Sequence, residues 1–248
     1  MDALLAAGSG VVAGSMLLVG ATIAWLFRVP AGVVAGITAF GAGVLISALA
    51  YELVAEAHAD GGLLPTVLGF ALGALIYVGV SALVDTRGRR LRRRGETQGS
   101  QNEAPQSGTA LLIGALVDGI PESIVLGTTV AATGGLSLPI ALAIAISNLP
   151  EGLSSTAGMK AAGKSSGYVF AVWGSVVAVT GVAALLGFLL LQGAAPELIA
   201  FITTIAAGGI LAMVCNTMIP AAFARDQAFT GLFATLGFLA AFTISHLP

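Results

Sequence analysis

The residues best equipped for chemistry in this chain of 248 residues are carboxylates set in otherwise apolar sequence. Asp118 and Glu122 stand in LVDGIPES, and Ser147, Asn148 and Glu151 stand in ISNLPEGLSS. A carboxylate inside a membrane-length apolar run costs on the order of 3 kcal/mol, so such groups are expected to face the interior of a helix bundle. Asp118, Glu122 and Glu151 together cost roughly 9 kcal/mol, comparable with the whole stability of many proteins. Some partner must offset that cost.

The spacing suggests what the partner is. Asp118 and Glu122 are i and i+4, and so are Ser147 and Glu151, while Asn148 and Glu151 are i and i+3; each set therefore projects from one helical face. Each glutamate follows a proline, Pro121 or Pro150, which cannot donate to the carbonyl four residues earlier and so frees the oxygen of Val117 or Ile146. Broken helices at membrane depth are tolerated where they are buried in protein or line a cavity. If the two segments lie side by side, carboxylates, amide, hydroxyl and freed carbonyls surround one oxygen-rich pocket, the chemistry of a divalent-cation site. A single Pro-Glu pair is compatible with a plain kink bearing a neutral glutamate. Its recurrence, with further polar residues one turn earlier each time, favours a site.

A second acidic group lies in YELVAEAHAD, where Glu52, Glu56 and Asp60 recur at i,i+4 with His58 beside them. This reads either as solvated helix-end charge or as a vestibule that concentrates cations, with Glu52 the deeper residue and the metal-site candidate. Asn216 and Thr217 before Pro220 read as packing glue, Cys215 as a small core residue and His246 as interfacial.

The elements that must position these groups are membrane helices. Charged residues make up 9% of the chain and hydrophobic ones 57%, against about 25% charged in an average soluble domain. Breaks in the apolar pattern divide it into eight spans, near residues 4–26, 32–56, 63–84, 109–133, 137–159, 166–191, 197–222 and 229–247, each near the roughly 20 residues a bilayer core requires. The first lacks a basic leader and a clear cleavage site, and is expected to remain as a helix. Small-x-x-x-small spacings, as at Gly32, Gly36, Gly41 and Gly43 or at Gly69 and Gly73, predict close helix packing. Every Lys and Arg falls on alternate loops: Arg28, the run from Arg87 to Arg94, Lys160 with Lys164, and Arg225. Positive charge marks the cytoplasmic side, which places both termini outside the cytoplasm. The organisation is helices one to three over 1–84, a basic and polar cytoplasmic loop over 85–108 whose second half is compositionally disordered, and helices four to eight over 109–248. A net charge of -2 with no basic face leaves no footprint for nucleic acid.

With these features the chain resembles the ZIP family of divalent-metal transporters. Carrying the resemblance are the tandem motifs D-G-I-P-E-S and S-N-L-P-E-G, the Gly-rich second span FGAGVLISALAYELVAEA and the large loop after span three. It implies an all-α integral membrane protein of eight helices in a three-plus-two-plus-three arrangement, the outer triplets related by inverted pseudo-symmetry. It also implies Asp118, Glu122, Ser147, Asn148 and Glu151 as metal-site positions. Gly119 stands where a further ligand is usual, and the histidine typical of these motifs is absent. Zinc is the family default, but oxygen donors shift preference toward manganese, iron(II) or magnesium.

The expected activity is movement of a divalent cation across the plasma membrane toward the cytoplasm, the ion being substrate and no cofactor being required. Nothing suggests ATP use, as there is no phosphate-binding Gly-rich loop. One other class left open is a metal-binding membrane sensor, or a degenerate relative, that does not transport. A second is an intramembrane hydrolase, which lacks a histidine or evident nucleophile pair near the carboxylates but whose aspartyl-dyad form the spacing leaves open. The partners are the cation and the lipid bilayer, with a homodimer left open.

Overall fold

A computed structural model describes residues 1–95, 108–224 and 228–246, without the side chains of 85–95 and 108–113. Among the described residues the chain is helical with no strand. Its helices form rods at the positions the apolar pattern predicts: α1 (Asp2–Leu26), α2 (Ala31–Gly61), α3 (Leu63–Gly95), α4 (Gly108–Thr133), α5 (Leu138–Ala161), α6 (Ser166–Leu191), α7 (Pro196–Phe223) and α8 (Thr230–Ser245). Rods α1, α2, α6, α7 and the segments Leu63–Val84 and Gly114–Thr133 are long and apolar enough to cross a membrane, whereas α8 is shorter. The chain is thus an all-α, multi-pass membrane type. Rod α5 is diluted by Ser147, Asn148, Glu151, Ser154, Ser155, Thr156 and Lys160, so length alone marks it.

The boundaries carry ordinary signals. Ser137 and Ser165 cap α5 and α6 through their hydroxyls, and α2, α5 and α7 each start at a proline cap or first-turn proline, where the missing N–H is harmless. Rod α3 continues through the arginine-rich stretch to Gly95 instead of ending near Asp85, because Arg and Leu are good helix formers. The loop expected to be disordered lies, over residues 96–107, outside the described residues. Two rods contain a single wide π turn, Leu49–Val54 in α2 and Val214–Met218 in α7. Such insertions often occur at functional positions.

Packing is by close backbone approach at glycine. Rod α1 lies against α5 where Gly152 meets the Leu17 carbonyl and Gly20 meets that of Leu149. Rod α3 lies against α7 where Gly73 meets the carbonyl of Ile205. Gly43 and Gly69 make similar approaches, but Gly32 has open space around its Cα. Small residues replace the hydrophobic driving force that lipid cannot supply. One apolar cluster joins Leu45 and Leu49 of α2, Val125 and Leu126 of α4, Ile140 and Ile144 of α5 and Ile210 and Met213 of α7. A second surrounds Trp173, whose indole N–H donates to Thr156 Oγ1 at 2.8 Å.

Candidate functional site

The carboxylates gather where α4 and α5 face each other at their prolines. These rods pack chiefly on other partners, α4 on α6 and α5 on α1, which leaves room between them. A cavity of about 700 Å³ there is lined by Asp118 and Glu122 of α4, by Ser147, Pro150 and Glu151 of α5, and by Thr217 of α7. Glu122 is almost wholly buried, at 2% exposure, and its Oε1 accepts a hydrogen bond from the Ser147 hydroxyl at 3.3 Å. Asp118 and Glu151 are partly exposed to the cavity. Glu151 lies within charge-interaction range of both other carboxylates.

Local chemistry shapes the wall. The buried Ser123 hydroxyl donates to the Gly119 carbonyl at 2.7 Å, a back-bond of a kind that bends helices, close to Pro121 inside the same helix. On the opposite wall Thr217 lies in the π turn of α7, its hydroxyl donating to the Met213 carbonyl at 2.8 Å. Thr217 thus lines the cavity, although its sequence context favours packing over a substrate contact. Tyr77 of α3 donates its hydroxyl to Asp118 Oδ1 at 3.0 Å, with Thr217 beside the same hydroxyl. No sequence signal singled Tyr77 out: in ALIYVGV it is one amphipathic residue in an apolar span, and its role depends on α3 crossing α4 at Asp118.

The cavity opens in one direction. Its lining continues through Ser154, Ala157 and Gly158 to Val29, Ala31 and Ala224 at one end of the bundle. At that same end Lys160 donates to the Trp25 carbonyl at 2.6 Å. In the other direction the next residues on α4 and α5 are Val125, Leu126, Ile144 and Ile140, all buried in the first apolar cluster with Leu45, Leu49, Ile210 and Met213. That plug separates Glu122 and Ser147 from the end that carries Glu52.

The predicted site residues therefore divide. Asp118, Glu122, Ser147 and Glu151 share the cavity. Asn148 is buried, but its amide donates to the Ala13 carbonyl of α1 at 3.0 Å, so the structure gives this side chain to helix packing rather than to the cavity. Glu52 is beyond the plug, in the π turn of α2, where its Oε2 accepts from the Ser137 hydroxyl at 3.3 Å. Glu56, His58 and Asp60 are exposed at that end. Cys215, expected in the core, is exposed, at the second position of the π turn in α7. His246 is exposed and stacks on Phe242, 4.2 Å between ring centroids.

The arrangement offers carboxylate and hydroxyl oxygens to a hard cation in a cavity wide enough to keep part of its water shell. Among the described residues, however, no three His, Cys, Asp or Glu side chains stand close enough together to hold a metal ion. The carboxylates are distributed along the wall. The chain matches no protein-family model and no curated protein.

Proposed function

We propose that the protein is a divergent ZIP-type carrier that moves a divalent cation across the plasma membrane toward the cytoplasm. The observation that carries this reading is that Asp118, Glu122, Ser147 and Glu151, from two helices that each carry an internal proline, line one cavity reaching a single end of the bundle. That end bears Arg28 and Lys160, so the positive-inside rule makes it cytoplasmic. With the apolar plug closing the opposite side, the arrangement matches the inward-open half of an alternating-access cycle. An ion leaving such a site meets oxygen donors distributed along its route and never a closed cage, which favours release.

Eight spans in a three-plus-two-plus-three arrangement are part of the same proposal. Exchanging α1 with α6, α2 with α7, α3 with α8 and α4 with α5 carries each main helix pairing onto another. The α1–α5 contact at Gly20 and Gly152 corresponds to the α6–α4 contact at Gly187 and Gly127. The α2–α8 contact at Gly43 and Gly237 corresponds to the α7–α3 contact at Gly208 and Gly73. The two π turns, in α2 and α7, exchange as well. An internal inverted repeat of this kind is the usual architecture for a midplane site with alternating access.

Oxygen donors favour manganese, iron(II) or magnesium, with zinc retained as the ion the resemblance implies. The test is uptake of these ions into proteoliposomes by the wild type and by the Glu122→Gln, Glu151→Gln double variant. Ion flux that the double variant loses, at equal protein incorporation, is the expected result; full flux in the double variant would falsify the assignment. The distributed carboxylates also favour a second reading, a sensor that binds the ion without moving it, and saturable binding with no flux would establish that one.

A further inference from the structure

Tyr77 is 5% exposed and is held from two sides. Its ring forms part of the wall of an apolar cavity of about 380 Å³ between α3, α4 and α7, with Gly73, Ile76, Ile120, Pro121 and Ile205. Its hydroxyl emerges on the other side to donate to Asp118 Oδ1 at 3.0 Å. Thr217 and Ser81 also lie within reach of this hydroxyl, and the buried apolar body of the ring holds it in place among the three. The neighbouring residue on α4 cannot assist Asp118 in its place, since Gly119 has no side chain.

A carboxylate binds a cation through one oxygen or through both. Large hard ions such as Ca2+ readily take both, whereas smaller ions at shorter distances are usually held by one. The Tyr77 hydrogen bond engages Oδ1 of Asp118, a residue that lines the larger cavity, and does not engage Oδ2. Chelation through both oxygens would set the cation in competition with the Tyr77 hydroxyl for Oδ1.

We propose that Tyr77 is a positioning residue that restricts Asp118 to one coordinating oxygen and thereby biases the site against large cations. The proposal rests on the reading of Asp118 as a ligand of the transported ion. Tyr77 does not touch the ion; it acts through Asp118, as residues around metal ligands commonly do.

The experiment compares Mn2+ with Ca2+, in flux through proteoliposomes and in equilibrium binding to purified protein, for the wild type, Tyr77→Phe, Asp118→Asn and the double variant. Tyr77→Phe is expected to raise the Ca2+ to Mn2+ ratio about tenfold, the lower end of effects for residues that orient metal ligands. The double variant is expected to show the same ratio as Asp118→Asn alone. A ratio in Tyr77→Phe within twofold of wild type, or the same increase in the Asp118→Asn background, overturns the proposal while leaving the carrier reading standing. Binding and flux unaffected by Asp118→Asn, or no binding in the wild type, overturn the ligand assignment and this proposal with it. Should Tyr77→Phe fail to fold, infrared difference spectra of the wild type with 13C-labelled aspartate decide the question. A Mn2+-induced carboxylate splitting typical of one-oxygen coordination is expected, and a chelate splitting refutes the proposal.

Discussion

Replacing Gly152 by alanine adds one methyl group where the structure has no room for it. A Cβ at Gly152 falls on the Leu17 carbonyl oxygen and lies 2.9 Å from the Leu17 carbonyl carbon and Cα, against the 3.5–4.0 Å at which carbon atoms attract. Both neighbours are backbone, so neither can swing aside, and α1 and α5 must separate by roughly half an ångström to an ångström. A gap of that size forfeits about a quarter to a half of the dispersion energy of the contacts it opens. Overpacking of this kind costs typically 1–3 kcal/mol, partly offset by the roughly 1 kcal/mol that alanine gains over glycine in a helix. Taking about 1 kcal/mol net, and about 2–4 °C per kcal/mol for a chain of this size, the melting temperature should fall by about 2–4 °C. Gly174→Ala in α6, where nothing lies within 4 Å of the added atom, supplies the same propensity gain without the clash. Thermal unfolding of both variants in detergent, followed by intrinsic fluorescence, makes the comparison. Equal melting temperatures for Gly152→Ala and Gly174→Ala would refute the close α1–α5 contact and, with it, the seating of Glu151 on that helix.

Removing the Ser147 hydroxyl takes one neutral donor from Glu122, so Ser147→Ala should weaken cation binding about threefold to tenfold, the range of a single net hydrogen bond; isothermal titration would show it, and unchanged affinity would mean the 3.3 Å contact contributes nothing. Asn148→Ala should lower stability by roughly 0.6–1.7 kcal/mol, as measured for interhelical hydrogen bonds in membranes, with no change in ion preference. A change in ion preference without loss of stability would instead return Asn148 to the ligand set. Ala157→Cys in a Cys215→Ser background should react with a charged, membrane-impermeant thiol reagent from the side bearing Lys160 and not from the side bearing Glu52. Labelling from the Glu52 side alone would invert the orientation of the cavity.

Much of the architecture was legible in the sequence because lipid imposes a one-dimensional rule: the chain must hide its backbone in helices of bilayer length. Apart from α3, which runs on to Gly95, the rods follow the apolar stretches to within a few residues, and the Pro-Glu motifs marked Glu122 and Glu151 because a buried carboxylate in an apolar span has few uses. Side-chain direction was legible only where α-helical periodicity holds unbroken. Asp118 and Glu122, one turn apart in α4, share the cavity as their spacing requires. In the π turn of α7 Thr217 lines the cavity and Cys215 is exposed, against expectations drawn from residue type and the nearby proline.

The sequence by itself determined the solvent, the helices and the residues expensive enough to need a site, since those follow from composition and from spacing along one chain. Only the tertiary structure decided which of those residues meet. Ser147 and Asn148 are adjacent in sequence and equally buried, yet a rotation of about 100° between consecutive helical residues sends one to Glu122 and the other to the Ala13 carbonyl. Glu52 has the same side chain as Glu122, but an apolar plug contributed by four helices stands between them. Tyr77 acquires its contact because α3 crosses α4 level with Asp118, and that crossing is fixed by packing contacts between helices distant in sequence.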